Sequence, residues 1–323
     1  MQPRSRFFLY PECQPMPGLL DVILGYDCNL ACDYCTISPS MRERSLDRAA
    51  LLEAMRLGRM RDYDHIAFTG GEPTIRPDLV GLVRAARKLG FADVKVQSNG
   101  LLFTPGNIER LVAAGVSRFH VSIHSHREPN YDALVRRPGS FPLMAAGLRN
   151  AVASGLPTVV DLIVKADSMT DLPDAAAWIA DHGVGEIHLW YVSLTDQNAE
   201  NWRSLPPMRA AVPHMRAAMA VGRARGVVVK SLHVPRCLLG EDWTHAWDPG
   251  SQRVMVVTPE ATFELSESRL AGQSRVPACT DCRFDDLCPG LRRDYLDALG
   301  DAEVAAVRGV SPSVRGKHHL DLL

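Results

Sequence analysis

The chain has 323 residues, 46% of them hydrophobic and 23% charged, with a formal net charge of -1. At ~100–200 residues per domain, this length predicts two domains, or one large α/β barrel with an appendage, around a sizeable core. Near-neutral charge offers no bulk field for nucleic acid or a membrane surface, and the apolar content excludes disorder. No apolar run nears the ~20 residues that span a bilayer. The apolar stretch 7–10 stops at Pro11, too soon for a signal-peptide core, so a cytoplasmic protein is expected. Eight cysteines in a reducing compartment point to metal or redox chemistry rather than disulfides.

Residues 19–28 read as a strand. Residues 45–58 read as a helix, with Ser45 as N-cap and Gly58 at its end. The alternation continues as strand 65–72 and helix 78–90, strand 93–99 and helix 106–115, strand 118–125 and helix 141–155. Strand 158–166 with helix 174–183 and strand 186–194 with helix 208–225 complete six βα units. The first five helices each end at a glycine, as C-terminal capping predicts. Repeated βα units imply a parallel sheet with right-handed crossovers. Six are too few for a closed eight-stranded barrel, so the predicted fold class is α/β, a partial (βα)6 barrel over residues 18–232. After 227–232 the pattern changes to a hairpin, 253–257 with 261–265. A small C-terminal domain is placed at 233–308, between an N-terminal extension (1–17) and a polar tail (309–323).

The cysteines fall into groups. Cys28, Cys32 and Cys35 follow the first strand; Cys279, Cys282 and Cys288 lie near the end, with Cys237 upstream and Cys13 alone. Three thiolates fall one short of a closed tetrahedral site, and soft ligands select zinc or iron–sulfur clusters. With no histidine close by, the first set suits a 4Fe-4S cluster with one open iron, against a zinc site or buried thiols. Four cysteines in the second group can close a site completely.

Strand alternation places His120, Ser122 and His124 on one face, as it does Val159, Asp161, Ile163 and Lys165, and Lys95, Gln97 and Asn99. Parallel strands under helices are normally apolar on both faces, so this polar row predicts a wet, functional lumen. His188 reads as a surface residue.

The segment CNLACDYC, with GGEPT at 70–74 ending the second strand, resembles the radical S-adenosylmethionine (SAM) superfamily. The resemblance implies that Cys28, Cys32 and Cys35 hold a 4Fe-4S cluster whose open iron binds SAM. It implies an enzyme that cleaves SAM reductively to a 5′-deoxyadenosyl radical, which abstracts hydrogen from its substrate. Gly70, Gly71, Glu72 and Pro73 would approach the SAM amino group, Asn99 and Ser122 its ribose or carboxylate, and Lys165 its carboxylate. Tyr34 matches the aromatic whose backbone holds the adenine. His124 and Asp161 are the substrate-side candidates.

Cys237, Cys279, Cys282 and Cys288 resemble the SPASM and twitch auxiliary domains of the superfamily. Four ligands imply one auxiliary 4Fe-4S cluster, with zinc as the alternative. Cys13 is a buried thiol, a hydrogen-atom donor or an auxiliary ligand. The expected function is oxidative modification or dehydrogenation of a natural-product precursor, a ribosomal peptide or sugar-like molecule. An epimerase using Cys13 is the alternative, and a non-catalytic iron–sulfur carrier or binding module is the contrasting class. Against a peptide substrate, the short stretch before Cys28 is expected to hold no separate leader-recognition domain. Expected partners are the substrate and an electron donor such as flavodoxin or ferredoxin, with neither nucleic acid nor membrane.

Overall fold

A computed structural model describes residues 17–248, 251–267, 273–288 and 290–309. Cys13, and with it the N-terminal extension up to residue 16 and the tail from residue 310, lies outside the described residues.

The βα alternation is present. Strand β1 (Gly18–Ile23) is followed by helix α1 (Arg48–Met60), β2 (His65–Thr69) by α2 (Leu79–Lys88), and β3 (Asp93–Ser98) by α3 (Pro105–Ala114). Strand β4 (Arg118–Ile123) is followed by two helices, α4 (Glu128–Val135) and α5 (Ser140–Ala153). Then come β5 (Thr158–Val164), α6 (Leu172–Asp181), β6 (Glu186–Tyr191), α7 (Met208–Arg225), β7 (Val228–Leu232) and the short α8 (Arg236–Leu239). The chain continues as β8 (Arg253–Val257), β9 (Thr262–Glu264), β10 (Gln273–Ser274), β11 (Leu291–Arg292) and α9 (Arg293–Leu299).

The nine-stranded sheet has the order β7-β6-β5-β4-β3-β2-β1-β8-β9. It is parallel from β7 to β8, and only β9 runs antiparallel. The ends of that order do not meet, so the sheet is an open partial barrel.

Two expectations change here. The sheet is wider than six strands, because β7 extends one edge and β8 the other. The 253–265 hairpin forms, but β8 pairs in parallel with β1, with Leu20 opposite Met255. That half of the proposed C-terminal domain is therefore built into the main sheet. β8 is apolar at Met255, Val256 and Val257, all buried, which suits a strand covered on both faces.

Helix α1 also begins later than expected. Ser45 lies in an extended bridge with Gly25, and Asp47 is the N-cap, its carboxylate accepting the Ala50 N–H at 2.8 Å. Gly58 is inside the helix rather than at its end; a Cβ there would lie 2.9 Å from the Leu20 side chain.

The helices pack on the outer face of the sheet. Leu51 and Met55 of α1, Leu82 and Val83 of α2, and Met215 and Met219 of α7 join Leu20, Val22, Val94, Val96, Val121, Leu189 and Val229 of the strands in one buried core. Each fully buried side chain of this kind contributes about 1.5–3 kcal/mol. The opposite face carries the polar residues, so the sheet is apolar on one face and polar on the other.

Candidate active site

The three N-terminal cysteines lie on the loop after β1, at the C-terminal ends of the strands, where open α/β sheets build their sites. Several elements hold this loop. Arg42 donates to the carbonyls of Cys28 (3.1 Å) and Leu30 (2.8 Å). The last carbonyls of α4, Leu134 and Val135, accept the N–H groups of Asp33 (3.0 Å) and Ala31 (3.3 Å). A helix C-terminus leaves such carbonyls without intrahelical partners, so α4 is a natural dock. The sequence reading missed α4. Its start carries no side-chain cap and its end is a left-handed Arg136 (φ 54°), so only Glu128 and Pro129 in the first turn mark its eight residues.

The Gly70-Gly71 turn backs the same loop. Gly71 donates to the Gly25 carbonyl (2.9 Å) and Glu72 to that of Asp27 (2.8 Å). Gly70 has φ +124°, and a Cβ on it would meet the Gly25 oxygen at 2.3 Å. The glycines are thus required for backbone to lie against backbone. The buried Glu72 carboxylate accepts from Thr74 N–H (2.9 Å), Thr74 hydroxyl (2.5 Å), Ser98 hydroxyl (2.8 Å) and Asn99 N–H (2.8 Å). Pro73 begins a short 3₁₀ turn that Glu72 caps. The end of β2 is thereby tied to the end of β3. Asn99 completes the link, its side-chain amide donating to Asn29 in the cysteine loop (2.7 Å).

All three thiols are half-buried and free of disulfides. Leu30 N–H points at Cys28 Sγ and Ile37 N–H at Cys35 Sγ, each at 3.4 Å. Burial and the neighbouring thiols push Cys32 up to about 12; burial chiefly pushes Cys28 up to about 11. These groups are costly as bare thiolates and await a cationic partner. The donor set fits an iron–sulfur cluster with one iron uncapped by protein.

Beside the loop, Lys165 is almost fully buried and donates to Asp33 at 2.6 Å, with Asp167 at 3.2 Å. Its ammonium therefore already has two carboxylates, one of them on the cysteine loop. The Tyr34 hydroxyl lies 2.7 Å from His124 Nδ1. His124 stacks on Tyr131 with centroids 5.8 Å apart. Burial, with Lys165 nearby, pushes the His124 imidazole down to about 4, so it is neutral. Ser122 is half-buried one position below the end of β4.

A second polar layer lies deeper along the strands. His120 Nδ1 is 3.4 Å from Asp161 Oδ2, and His188 Nδ1 is 3.3 Å from Asp161 Oδ1. Asp161 Oδ1 also accepts the Trp190 indole N–H at 3.0 Å. Burial opposes ionisation of Asp161, but His120 and His188 more than offset it and hold the carboxyl well below the usual range. The expectation of a surface His188 is wrong: its side chain is 17% exposed and bridges Asp161 and Glu186. Periodicity carried the signal, since Glu186, His188 and Trp190 continue the polar face on β6.

The C-terminal cysteines also converge. Cys237 on α8, with Cys279, Cys282 and Cys288, lines one pocket. Buried Arg236 fastens its rim, donating to the carbonyls of Leu287 (2.9 Å) and Trp243 (3.0 Å).

Residues 22–179 match the Radical SAM superfamily. PqqA peptide cyclase of Gluconobacter oxydans (strain 621H) is 27% identical over 209 residues, 63% of this chain and 57% of that protein. A probable GTP 3′,8-cyclase of Saccharolobus islandicus (strain Y.N.15.51 / Yellowstone #2) is 28% identical over 172 residues, 53% of this chain and 55% of that protein. The chain thus spans little more than half the length of these curated relatives. Among solved structures, native anSMEcpe with bound AdoMet has TM-score 0.65 at 13% identity, covering 90% of this chain and 93% of that one. Streptococcus suis SuiB bound to S-adenosylmethionine has TM-score 0.64 at 11% identity, covering 93% and 78%. At such identities the structural likeness is one of fold. Among the described residues, no helix is long and apolar enough to cross a membrane. Residues 22–179, just under half of the chain, are therefore similar to the Radical SAM superfamily, in a fold shared with these solved structures.

Proposed function

We propose that this chain is an enzyme that oxidatively modifies a natural-product precursor, with a ribosomal peptide as the substrate class. The observation that carries the radical chemistry is the Gly70–Glu72 turn held against the loop of Cys28, Cys32 and Cys35. The peptide class is supported by similarity to PqqA peptide cyclase and by fold likeness to SuiB, which is also known bound to precursor peptide SuiA. A small-molecule substrate is the second reading, favoured by similarity to probable GTP 3′,8-cyclases.

Cys28, Cys32 and Cys35 would hold a 4Fe-4S cluster, and Gly70–Pro73, Asn99, Ser122 and Tyr34 would line the place for SAM. When bound, cluster and SAM together supply the electron and the carbon radical that takes a hydrogen atom from the substrate. The protein's part is positioning and exclusion of water. Asn99 and Glu72 hold the turn to the cysteine loop. Lys165 acts on the loop through Asp33. Neutral His124, oriented by Tyr34, is the substrate-side hydrogen-bonding group.

Cys237, Cys279, Cys282 and Cys288 would hold a second 4Fe-4S cluster, closed by four protein ligands and suited to accepting an electron from an oxidised substrate radical. A single zinc ion would need its four sulfurs about 3.8 Å apart. Among the described residues, only His120, Asp161 and His188 bring three such donor atoms within 4.8 Å of one another.

Anaerobically reconstituted enzyme, given SAM and dithionite, is expected to release 5′-deoxyadenosine and to contain about eight iron atoms per chain. A triple Cys28/Cys32/Cys35→Ala variant should release none and keep about half the iron. Wild-type protein that holds iron at the triad yet releases no 5′-deoxyadenosine would leave a carrier. With the substrate, a product lighter by a pair of hydrogens supports oxidation, whereas solvent deuterium in an otherwise unchanged product points to epimerisation.

A further inference from the structure

We propose that His120, Asp161 and His188 form a separate metal site in the lumen, for one divalent ion of the zinc type bound by two imidazoles and a carboxylate. The site begins with strand register. Asp161 on β5 lies directly opposite His188 on β6 and opposite Ser122 on β4. His120, two residues before Ser122, points to the same face. Three side chains from three adjacent strands therefore meet without any loop.

Their spacing is longer than a charge-assisted hydrogen bond and leaves room for an ion. A charge-assisted N–H···O bond settles at ~2.7–2.9 Å. The two imidazole–carboxylate separations are 3.4 and 3.3 Å, one to each carboxylate oxygen. At metal–ligand distances of ~2.0–2.1 Å, neighbouring donors of a tetrahedral ion stand about 3.3 Å apart. One ring nitrogen from each histidine and one Asp161 oxygen lie within 4.8 Å of one another.

An independent observation comes from Asp161. The residue is 6% exposed, and its Oδ2 is buried without a hydrogen-bond partner. Its other oxygen takes the Trp190 indole N–H at 3.0 Å. With His120 Nδ1 no nearer than 3.4 Å, that buried oxygen is poorly satisfied, and a cation would meet it. The outer partners also fit. Glu186 sits 2.8 Å from His188 Nε2, and Lys230 holds Glu186 at 2.6 Å. A carboxylate on the far nitrogen is the usual means of aiming a histidine at a metal. Here it leaves Nδ1 facing Asp161.

Nitrogen and oxygen donors select an ion different from those of the two cysteine sets. Three protein ligands leave a position for water or a substrate oxygen. A carboxylate, hydroxyl or carbonyl of the substrate is the ligand class this position would take, in the polar layer below Tyr34 and His124.

The test uses cluster-loaded holoenzyme, cleared of loose metal with a chelator, exposed to Zn²⁺ and desalted. Metal analysis should find about one zinc per chain in wild type, with iron and sulfide unaltered, and none in Asp161→Asn or His188→Gln. Zinc X-ray absorption should show a nitrogen and oxygen shell. Glu186→Gln keeps every ligand and should weaken zinc binding ~10–100-fold, which preserves the test if the ligand variants do not fold. Absence of retained zinc in wild type, equal zinc in wild type and the folded variants, or a sulfur shell, would overturn the proposal.

Discussion

Gly71 and Asp27 are in such close contact that a Cβ on Gly71 would sit 2.0 Å from the Asp27 carbonyl oxygen. Asp27 immediately precedes Cys28, so the tightest backbone contact of the site lies one residue from a proposed cluster ligand. The cysteine loop takes its position from a turn more than forty residues away in sequence.

Gly71→Ala should therefore push the loop off the turn. The obstacle is backbone, which cannot rotate aside as a side chain does. Expected outcomes are loss of most iron from the N-terminal site and at least a ~100-fold drop in 5′-deoxyadenosine release, the scale of a 1 Å misplacement. Iron content near the wild-type value with full release would show that the loop is held by other means.

Lys165 and Asp33 make a second tie, one partner nearly buried and the other 30% exposed at the side chain. Lys165→Met leaves the Asp33 carboxylate without its cation. Its cost should be about 3 kcal/mol, at the low end for a broken buried pair because Asp33 remains partly solvated. Urea unfolding measures it. A double variant with Asp33→Asn should recover part of the loss; additive losses would mean the pair is not coupled.

Asp294 gives a pH dependence of definite sign. Burial opposes its ionisation, but Arg292 and the N–H groups of Leu194 and Tyr295 hold its carboxyl below the ordinary 3.8. The folded state then binds fewer protons than the unfolded one in that window. The stability it contributes is complete above pH 3.8 and is lost as pH falls through the lower folded value. Asp294→Asn should cost about 3 kcal/mol at pH 7, with the gap to wild type narrowing only below about pH 4. A gap that closes already at pH 6 would contradict this.

His124 acts in a higher window. Its imidazole is pushed from 6.5 down to about 4 by burial, so acid protonates the unfolded chain first. Its effect on stability should be a steady loss between pH 6.5 and 4. His124→Phe removes that slope, read as a flatter unfolding midpoint across this range. Proton NMR should show the wild-type ring neutral at pH 5.5; a ring half-protonated there would refute the assignment.

Local chemistry made much of this protein legible. The βα alternation and the period-two polar face are one-dimensional patterns, and the sheet follows them. The cysteine loop and the Gly-Gly-Glu turn were readable because each is contiguous and each sits where a strand stops. Less legible were helix α4, eight residues long and without a side-chain cap, and the place of β8. A short apolar strand says nothing of its neighbour, and hydrogen bonding to β1 is a choice made over more than 200 residues.

Composition, strand periodicity and the two motifs were enough to determine the open α/β sheet, the three-thiol loop and the likeness to the superfamily, because each depends on spacing along the chain. Only the tertiary structure decided that Lys165 serves Asp33, that Asn99 holds Asn29, and that His188 faces inward against Asp161 and Glu186. Those pairings depend on register between strands and on how loops fold over their ends, and packing of the whole sheet sets both.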